Sequence, residues 1–385
     1  MTSISPTFIG RFSQCLIVLL FLAGIFAPLI GTPLHWDAAA AVDENRRAAE
    51  LPGMPGNYQQ AAGFTDKFIA YWRDHFGFRS MLIRGLSLLQ FHETRIFLSS
   101  DVVVGKNGWL FIRPPGDVDL TIFRGLEPMT EEQLDAWQQT LEKRNAWLAA
   151  RHIRYLVVIP PEKQSIYPEL MPDELAPVSR QSHLDQLIAR LHQTHSPVNL
   201  VDLRPALIAA KGSEPLYFKT DTHWNQAGAY VGYCVIIDAI NRLLPDAHLV
   251  PQPREAFGTF EKETTGDLVR LADWPDSYAE TATLWYRRRP FPVAGDFMDA
   301  VNPATSDVAD RRLPRVVLFH DSFANSLLPM LGPHFSHAVY RLADCVEAPL
   351  VEREKPDIVI SEFAERKIDM PLREDSREIR ETPLH

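Results

Sequence analysis

Between Arg11 and Asp37 the chain carries no charged side chain, and residues 15–30 (CLIVLLFLAGIFAPLI) are almost wholly apolar, extended by Gly31, Thr32, Pro33 and Leu34. About 20 apolar residues cross the hydrocarbon core of a bilayer. A secretory signal has a shorter apolar stretch with small residues close behind it; here Ala38 to Ala41 come only after His35 and Trp36. The pattern predicts a transmembrane signal-anchor within residues 1–36, with a cleaved signal as the alternative. Arg11 beside the amino terminus favours a cytoplasmic tip. Either way the remainder is expected outside the cytoplasmic membrane.

Residues 37–98 read as a linker followed by N-terminal helices. Pro and Gly are scattered up to Gly63, with a short helical piece at 44–50, and FTDKFIAYWRDHFGFR (64–79) then sets Phe64, Phe68, Tyr71 and His75 at helical spacing. Two apolar runs around Lys106-Asn107-Gly108, within 102–112, predict a hairpin. Thr130 with Gln133 three residues on is a capping box, ahead of a helix whose apolar face is Leu134, Trp137, Leu141 and Leu148. From there strand-like runs at 155–159, 198–201, 216–218, 315–319, 337–341 and 357–361 alternate with helical patterns at 182–194, 204–210, 226–244 and 324–331. A Pro-rich loop fills 160–172, and 245–314 is less regular. Strands separated by helices predict an α/β domain over residues 99–385, a parallel sheet flanked by helices with right-handed crossovers.

Composition changes this picture little. Of 385 residues, 46% are hydrophobic and 23% charged, an ordinary globular balance. Lys plus Arg number 39 against 49 Asp plus Glu, a net charge of −10 with no basic block, which argues against nucleic acid as a partner. With Cys15 in the anchor, Cys234 and Cys345 could pair in an oxidising compartment or stay as two buried free thiols, the plainer reading.

Two segments carry candidate chemistry. In RVVLFHDSFANSLLPML (315–331) an apolar run ends at Phe319, and His320-Asp321-Ser322-Phe323 turns into a helix. Ligand sites in parallel sheets lie beyond the carboxyl ends of the strands, where Ser322 could act as a nucleophile with its N–H facing an oxyanion; Ser322 or Asp321 could equally be a helix cap. In YFKTDTHWNQAG (217–228), Asp221 and His223 are two apart and face the same side of an extended segment. His223 has the chemistry of a general base and Asp221 that of the carboxylate that holds its tautomer; a structural loop with a hydrogen-bonded His is the alternative. No further His or carboxylate falls at metal-ligand spacing nearby. Taken together, the segments supply a nucleophile, a base and an orienting acid in the order Asp, His, Ser.

Asp221-x-His223-Trp224, followed about a hundred residues later by Asp321-Ser322-Phe323, resembles the SGNH-hydrolase-like domain of the alginate O-acetylation proteins of the AlgJ/AlgX type. Glu44-Asn45-Arg46, the run Asp74 to Arg79, Gly105 to Phe111, Pro160-Pro161-Glu162-Lys163, Ile166-Tyr167-Pro168, Gly266-Asp267-Leu268 and Glu365-Arg366 are similar to that family's motifs and keep their order. The family commonly has Gly where this chain has His320. The resemblance implies a circularly permuted SGNH fold, with Ser322 as nucleophile, His223 as base and Asp221 as its orienter, and with Lys163, Tyr167 and Arg366 lining the site. Trp109 and Trp224 could stack on sugar rings or be core aromatics. It further implies a periplasmic O-acetyltransferase, held in the inner membrane, that passes acetyl groups through an acyl-serine to hydroxyls of an exopolysaccharide, alginate or a related polymer. No metal or organic cofactor is needed, and the acetyl donor would be a membrane-bound O-acyltransferase. An anchor with a lone catalytic domain, and no carbohydrate-binding module after it, is nearer the AlgJ kind. A periplasmic carbohydrate esterase and a non-catalytic polysaccharide-binding scaffold are the alternatives.

Overall fold

A computed structural model describes residues 21–22, 26, 49–55, 63–75, 101–113, 120–179, 181–272, 274 and 278–384. The anchor expected within residues 1–36 lies outside the described residues except for Phe21, Leu22 and Phe26, which are helical. The helical piece at 44–50 and the end of the helix at 76–79 also fall outside them, save Ala49 and Glu50, which are not helical. Among the described residues no helix is long and apolar enough to cross a membrane.

The chain divides into two units, Met1–Ser99 with Val269–Tyr278, and Ser100–Leu268 with Ala279–His385. In the first, the aromatic spacing produces the helix Phe64–His75. Its rings stack in rows, Phe64 on Phe68 at 5.9 Å, Phe68 on Trp72 at 6.4 Å and Tyr71 on His75 at 4.3 Å.

The second unit opens with the predicted hairpin, strands β1 (Val102–Val104) and β2 (Leu110–Ile112), turned by Asn107 at φ 56° and Gly108 at φ 73°. The capping box then starts the helix Glu131–Ala149: Gln133 N–H donates to Thr130 Oγ1 at 3.2 Å, and Thr130 N–H to Gln133 Oε1 at 2.8 Å. Ser182 and Asp185 repeat the device at the helix His183–Gln193. Strands β3 (Arg154–Ile159) and β4 (Leu200–Asp202) lie between them and beyond. An antiparallel pair, β5 (Phe257–Thr264) and β6 (Glu280–Arg287), stands apart from the main sheet. The remaining strands are β7 (Ala304–Asp307), β8 (Arg315–His320), β9 (His337–Leu342) and β10 (Ile358–Glu362).

The main sheet runs β4-β3-β10-β8-β9-β7, and β10, the last strand in sequence, sits in its interior. All its pairs are parallel except β7–β9, so the sheet is mixed where the sequence predicts a purely parallel one. In β7 (ATSD) only Ala304 and Ser306 are buried, too little apolar signal to mark a strand. The pair β5–β6 was hidden in the irregular region for a related reason: most of FGTFEKET and ETATLWYR is exposed or half-buried, so neither carries a run of buried apolar residues. Residues 216–218, expected as a strand, contribute only an isolated bridge from Tyr217 to Trp224. Residues 324–331 form a 3₁₀ turn, Ser322–Ser326, and one helical turn, Leu328–Leu331, instead of a continuous helix.

Side chains alternate across the sheet with period two. Leu156 and Val158 of β3, Val316 and Leu318 of β8, and Ile358 and Ile360 of β10 pack with the helix Gln226–Leu243. Tyr155, Val157, Val317, Phe319 and Val359 face the other way, toward Glu131–Ala149 and His183–Gln193. On that second face Arg144 is wholly buried. Its Nε donates to both carboxylate oxygens of buried Asp375 (2.8 and 3.1 Å) and its Nη2 to the Asp344 carbonyl. Cys234 and Cys345 are free and half-buried.

Candidate active site

The geometry gathers at the carboxyl ends of β8 and β10. After His320 the chain turns through Asp321, whose Oδ1 accepts the Phe323 N–H at 2.8 Å and whose Oδ2 accepts the Ala364 N–H at 2.8 Å. The Asp321 N–H donates to Glu362 Oε2 at 3.1 Å, tying this turn to the end of β10. Burial, with the charge of Asp321 added, pushes the Glu362 carboxyl well above its ordinary range. Asp321 is therefore the cap, and the Ser322 hydroxyl is left for another partner.

That partner is His223. Ser322 Oγ lies 2.8 Å from His223 Nε2, and His223 Nδ1 lies 2.7 Å from Asp221 Oδ1. With Nδ1–H donating to the carboxylate, Nε2 is the acceptor for the serine O–H. Burial works against a charge on His223, but the hydrogen bond and charge of Asp221, with Asp267 behind it, outweigh burial and raise the imidazole above its ordinary range. Burial likewise opposes ionisation of Asp221, yet the hydrogen bonds and charge of His223 and the Asp267 N–H hold it well below the usual carboxylate range.

The loop that carries Asp221 and His223 has no ladder of its own, and buried polar groups support it. Lys163 is wholly buried and gives its Nζ to the carbonyls of Phe218, Lys219 and Asp221 at 2.9, 3.2 and 2.6 Å; burial pulls the ammonium down to about 7. Glu280 accepts from the N–H groups of Lys219 and Thr220, and Asp267 from the N–H and hydroxyl of Thr222. Gly266 packs against this loop so closely that a Cβ there would stand 2.1 Å from the Thr220 carbonyl oxygen and 2.5 Å from the Asp221 nitrogen.

The structure thus brings together Ser322, His223 and Asp221, residues 99 and 101 positions apart in the chain at their widest. Arg366 stands beside them: its guanidinium lies 5.3 Å from the Phe323 ring centre, which is 4.8 Å from the His223 ring, and Nη1 donates to Glu162 at 2.7 Å. Lys163 and Tyr167 do not line an open site. Lys163 is committed to the loop carbonyls, and Tyr167 is buried, its hydroxyl accepting the Leu216 N–H at 3.0 Å. Trp224 is fully buried with Nε1–H donating to the Phe323 carbonyl at 2.9 Å, so it braces the serine turn and offers no face to a sugar. Trp109 packs on Tyr167 at 4.8 Å. His320, in the place of the family's Gly, is buried, bonded through Nδ1 to the Asp321 carbonyl, and burial lowers its imidazole.

Sequence reasoning missed Asp267, Glu280 and Glu362, which hold the two loops. Only the short Gly266-Asp267-Leu268 motif hinted at the first. Asp267 also supplies the third potential metal ligand that spacing alone did not show, since ligand atoms of Asp221, His223 and Asp267 fall within 4.8 Å of one another. Those atoms are already engaged: Nδ1 with Asp221, Asp221 Oδ2 with the Asp267 N–H, and both oxygens of Asp267 with Thr222.

A sequence profile of the SGNH hydrolase-like domain of the acetyltransferase AlgX matches residues 102–365, which contain all three converging side chains. Among curated relatives, the probable alginate O-acetylase AlgJ of Pseudomonas putida is 25% identical over 299 residues, 70% of this chain and 70% of that protein. The protein of the same description from Pseudomonas aeruginosa is 25% identical over 228 residues, 58% of this chain and 52% of that one. Among solved structures, Bacillus cereus PatB1 shares the fold with a TM-score of 0.51 at 14% identity, over 70% of this chain and 97% of that one.

Proposed function

From the membership of this chain in the AlgX-type family of SGNH hydrolase-like acetyltransferase domains, we propose that it is an O-acetyltransferase working through an acyl-serine on hydroxyls of an exopolysaccharide, alginate or a related polymer. The observation that carries the reading is the contact of Ser322 Oγ with His223 Nε2 at 2.8 Å, with Asp221 on the other ring nitrogen. His223 takes the Ser322 proton as Oγ bonds to the acetyl carbonyl carbon. The Ser322 N–H faces the oxyanion, and the leaving group departs with the proton from Nε2. A sugar hydroxyl then repeats the cycle in reverse: its proton goes to Nε2, its oxygen bonds to the acetyl carbon, and the Ser322 Oγ–C bond breaks as Nε2 returns the proton to Oγ. The order Asp, His, Ser is that of a permuted SGNH domain. An anchor in the inner membrane would hold this domain in the periplasm, next to a membrane-bound O-acyltransferase as donor.

The test is purified protein with a chromogenic acetate ester, with and without an oligosaccharide acceptor. An acetyl group on the peptide containing Ser322, followed by acetylated acceptor, supports transfer. Release of free acetate only, at a rate the acceptor leaves unchanged, would make the protein an esterase, and no acyl-enzyme at all would refute the reading.

Two further outcomes follow from the geometry. Turnover needs the uncharged imidazole, so the raised His223 places the rise of kcat/KM above the ordinary histidine value of about 6.5. Asp267→Asn removes a carboxylate 3.5 Å from Nδ1 and should move that rise to lower pH; an unmoved profile would assign the limb to another group. Gly266→Ala should displace residues 220–221 and with them the acid that orients the base. The expected loss is about 10²-fold in kcat, measured on the same ester.

A further inference from the structure

The residue before the candidate serine is held on every side, and one of its partners has no part in the acyl-transfer scheme. The Asp321 N–H is held by Glu362, and its two carboxylate oxygens by the Phe323 and Ala364 N–H groups. Its carbonyl is left. That oxygen accepts from His320 Nδ1 at 2.9 Å and, at a longer 3.3 Å, from the Ala324 N–H.

His320 ends β8 and is only 1% exposed. Alternation along the strand turns its ring to the side of Val316 and Leu318, and its own carbonyl accepts the Ala343 N–H at 3.1 Å. The ring is enclosed and its backbone is fixed. A carbonyl can only accept, so the proton of the imidazole sits on Nδ1. Burial lowers this imidazole and keeps it neutral, which leaves a lone pair on Nε2. That nitrogen is buried with no partner among the described residues. The only hydrogen bond of the ring is therefore the one to Asp321.

The Asp321 carbonyl and the Ser322 N–H belong to one peptide group. That group is planar and trans, so its C=O and N–H point in opposite directions and turn as one body. Fixing the oxygen fixes the line of the N–H. Among the described residues the Ser322 N–H has no hydrogen-bond partner, as a donor kept for an oxyanion must not. A hydrogen bond on the carbonyl also polarises the peptide and strengthens the donor at its other end. We infer that His320 is a positioning residue: its Nδ1–H, through the Asp321 carbonyl, aims and strengthens the Ser322 N–H that meets the oxyanion. His320 touches no reacting atom and takes up no proton in the cycle. The inference rests on the acetyl-transfer reading and adds to it the side chain that orients the oxyanion donor.

The test compares His320→Leu and His320→Asn in the full chain. Leucine fills the space without a donor, whereas the asparagine amide nitrogen hangs from Cγ as Nδ1 does. Formation and breakdown of the acyl-serine both pass through an oxyanion, so both should slow together. His320→Leu is expected to lower kcat on the chromogenic ester by about 10–10²-fold and to leave KM within about twofold. Benzeneboronic acid is a second probe: Ser322 Oγ bonds to its boron, the serine proton passes to His223, and a boron oxygen takes the oxyanion position. Its affinity for His320→Leu should fall by about the same factor as kcat. His320→Asn should recover both to within about fivefold of the wild type, and both variants should melt within about 3 °C of it. If His320→Leu does not fold, His320→Met, which also lacks a donor, replaces it. Wild-type kcat in the donor-free variant, an Asn variant no better than it, a loss confined to KM, or unfolding of both donor-free variants would each overturn the inference. A wild type that forms no acyl-serine and binds no boronate would instead count against the acetyl-transfer reading.

Discussion

Ser322→Ala is expected to lower ester turnover by about 10³–10⁶-fold and to abolish the acetylated peptide, while the protein stays folded. The hydroxyl hydrogen-bonds to His223, whereas the turn itself is capped by Asp321 and tied to Glu362 and Ala364. Removing one such hydrogen bond costs about 1 kcal/mol, so the melting temperature should move by no more than about 3 °C in a domain of this size. Loss of activity with an unfolded variant would leave the serine a structural residue; near-wild-type turnover in a folded variant would remove it from the chemistry. His223→Ala should come close to the same rate, because a nucleophile without its base and a base without its nucleophile are about equally inert.

The largest effect on stability is expected at Arg144. Its side chain is 0% exposed and that of Asp375 only 3%, so the pair sits where water cannot replace a missing partner. Arg144→Met leaves the Asp375 carboxylate buried with only the Val346 N–H as a donor, along with an undonated Asp344 carbonyl. The expected cost is about 3–5 kcal/mol, or about 10 °C in melting temperature. The double variant Arg144→Met, Asp375→Leu removes both charges and should recover much of that loss, since apolar packing can replace a buried ion pair. Thermal unfolding of the wild type and the two variants checks this; a single variant as stable as wild type would mean that the pair contributes nothing net.

The strands and helices that sequence makes legible are those with strong period and clean caps. The β3, β8 and β10 strands are dense runs of Val, Ile, Leu and Phe because both faces of the sheet are covered, and Thr130, Ser182 and Asn225 announce their helices through side chains that cap them. Where these signals are missing, the reading was blank. β5 and β6 bury few side chains, and β7 has only four residues. The candidate site divides along the same line. Ser322, His223 and Asp221 were visible because two short motifs, one of them at the end of β8, concentrate chemistry. Lys163 and Tyr167 stand out in the motif as conspicuously, yet the fold places them beneath the loop as supports. Glu280 and Glu362 lie far along the chain from the loops they hold, and only tertiary proximity reveals them.

The interior position of β10 has a consequence for how the molecule comes into being. A nascent chain that has emerged only as far as residue 357 possesses β4 and β3 on one side and β8, β9 and β7 on the other, with nothing to join them. The serine turn at that stage also lacks Glu362 and the Ala364 N–H, two of the groups that set its angle. Synthesis therefore completes the candidate site all at once, at the final strand. Prematurely terminated copies should be both unfolded and chemically silent.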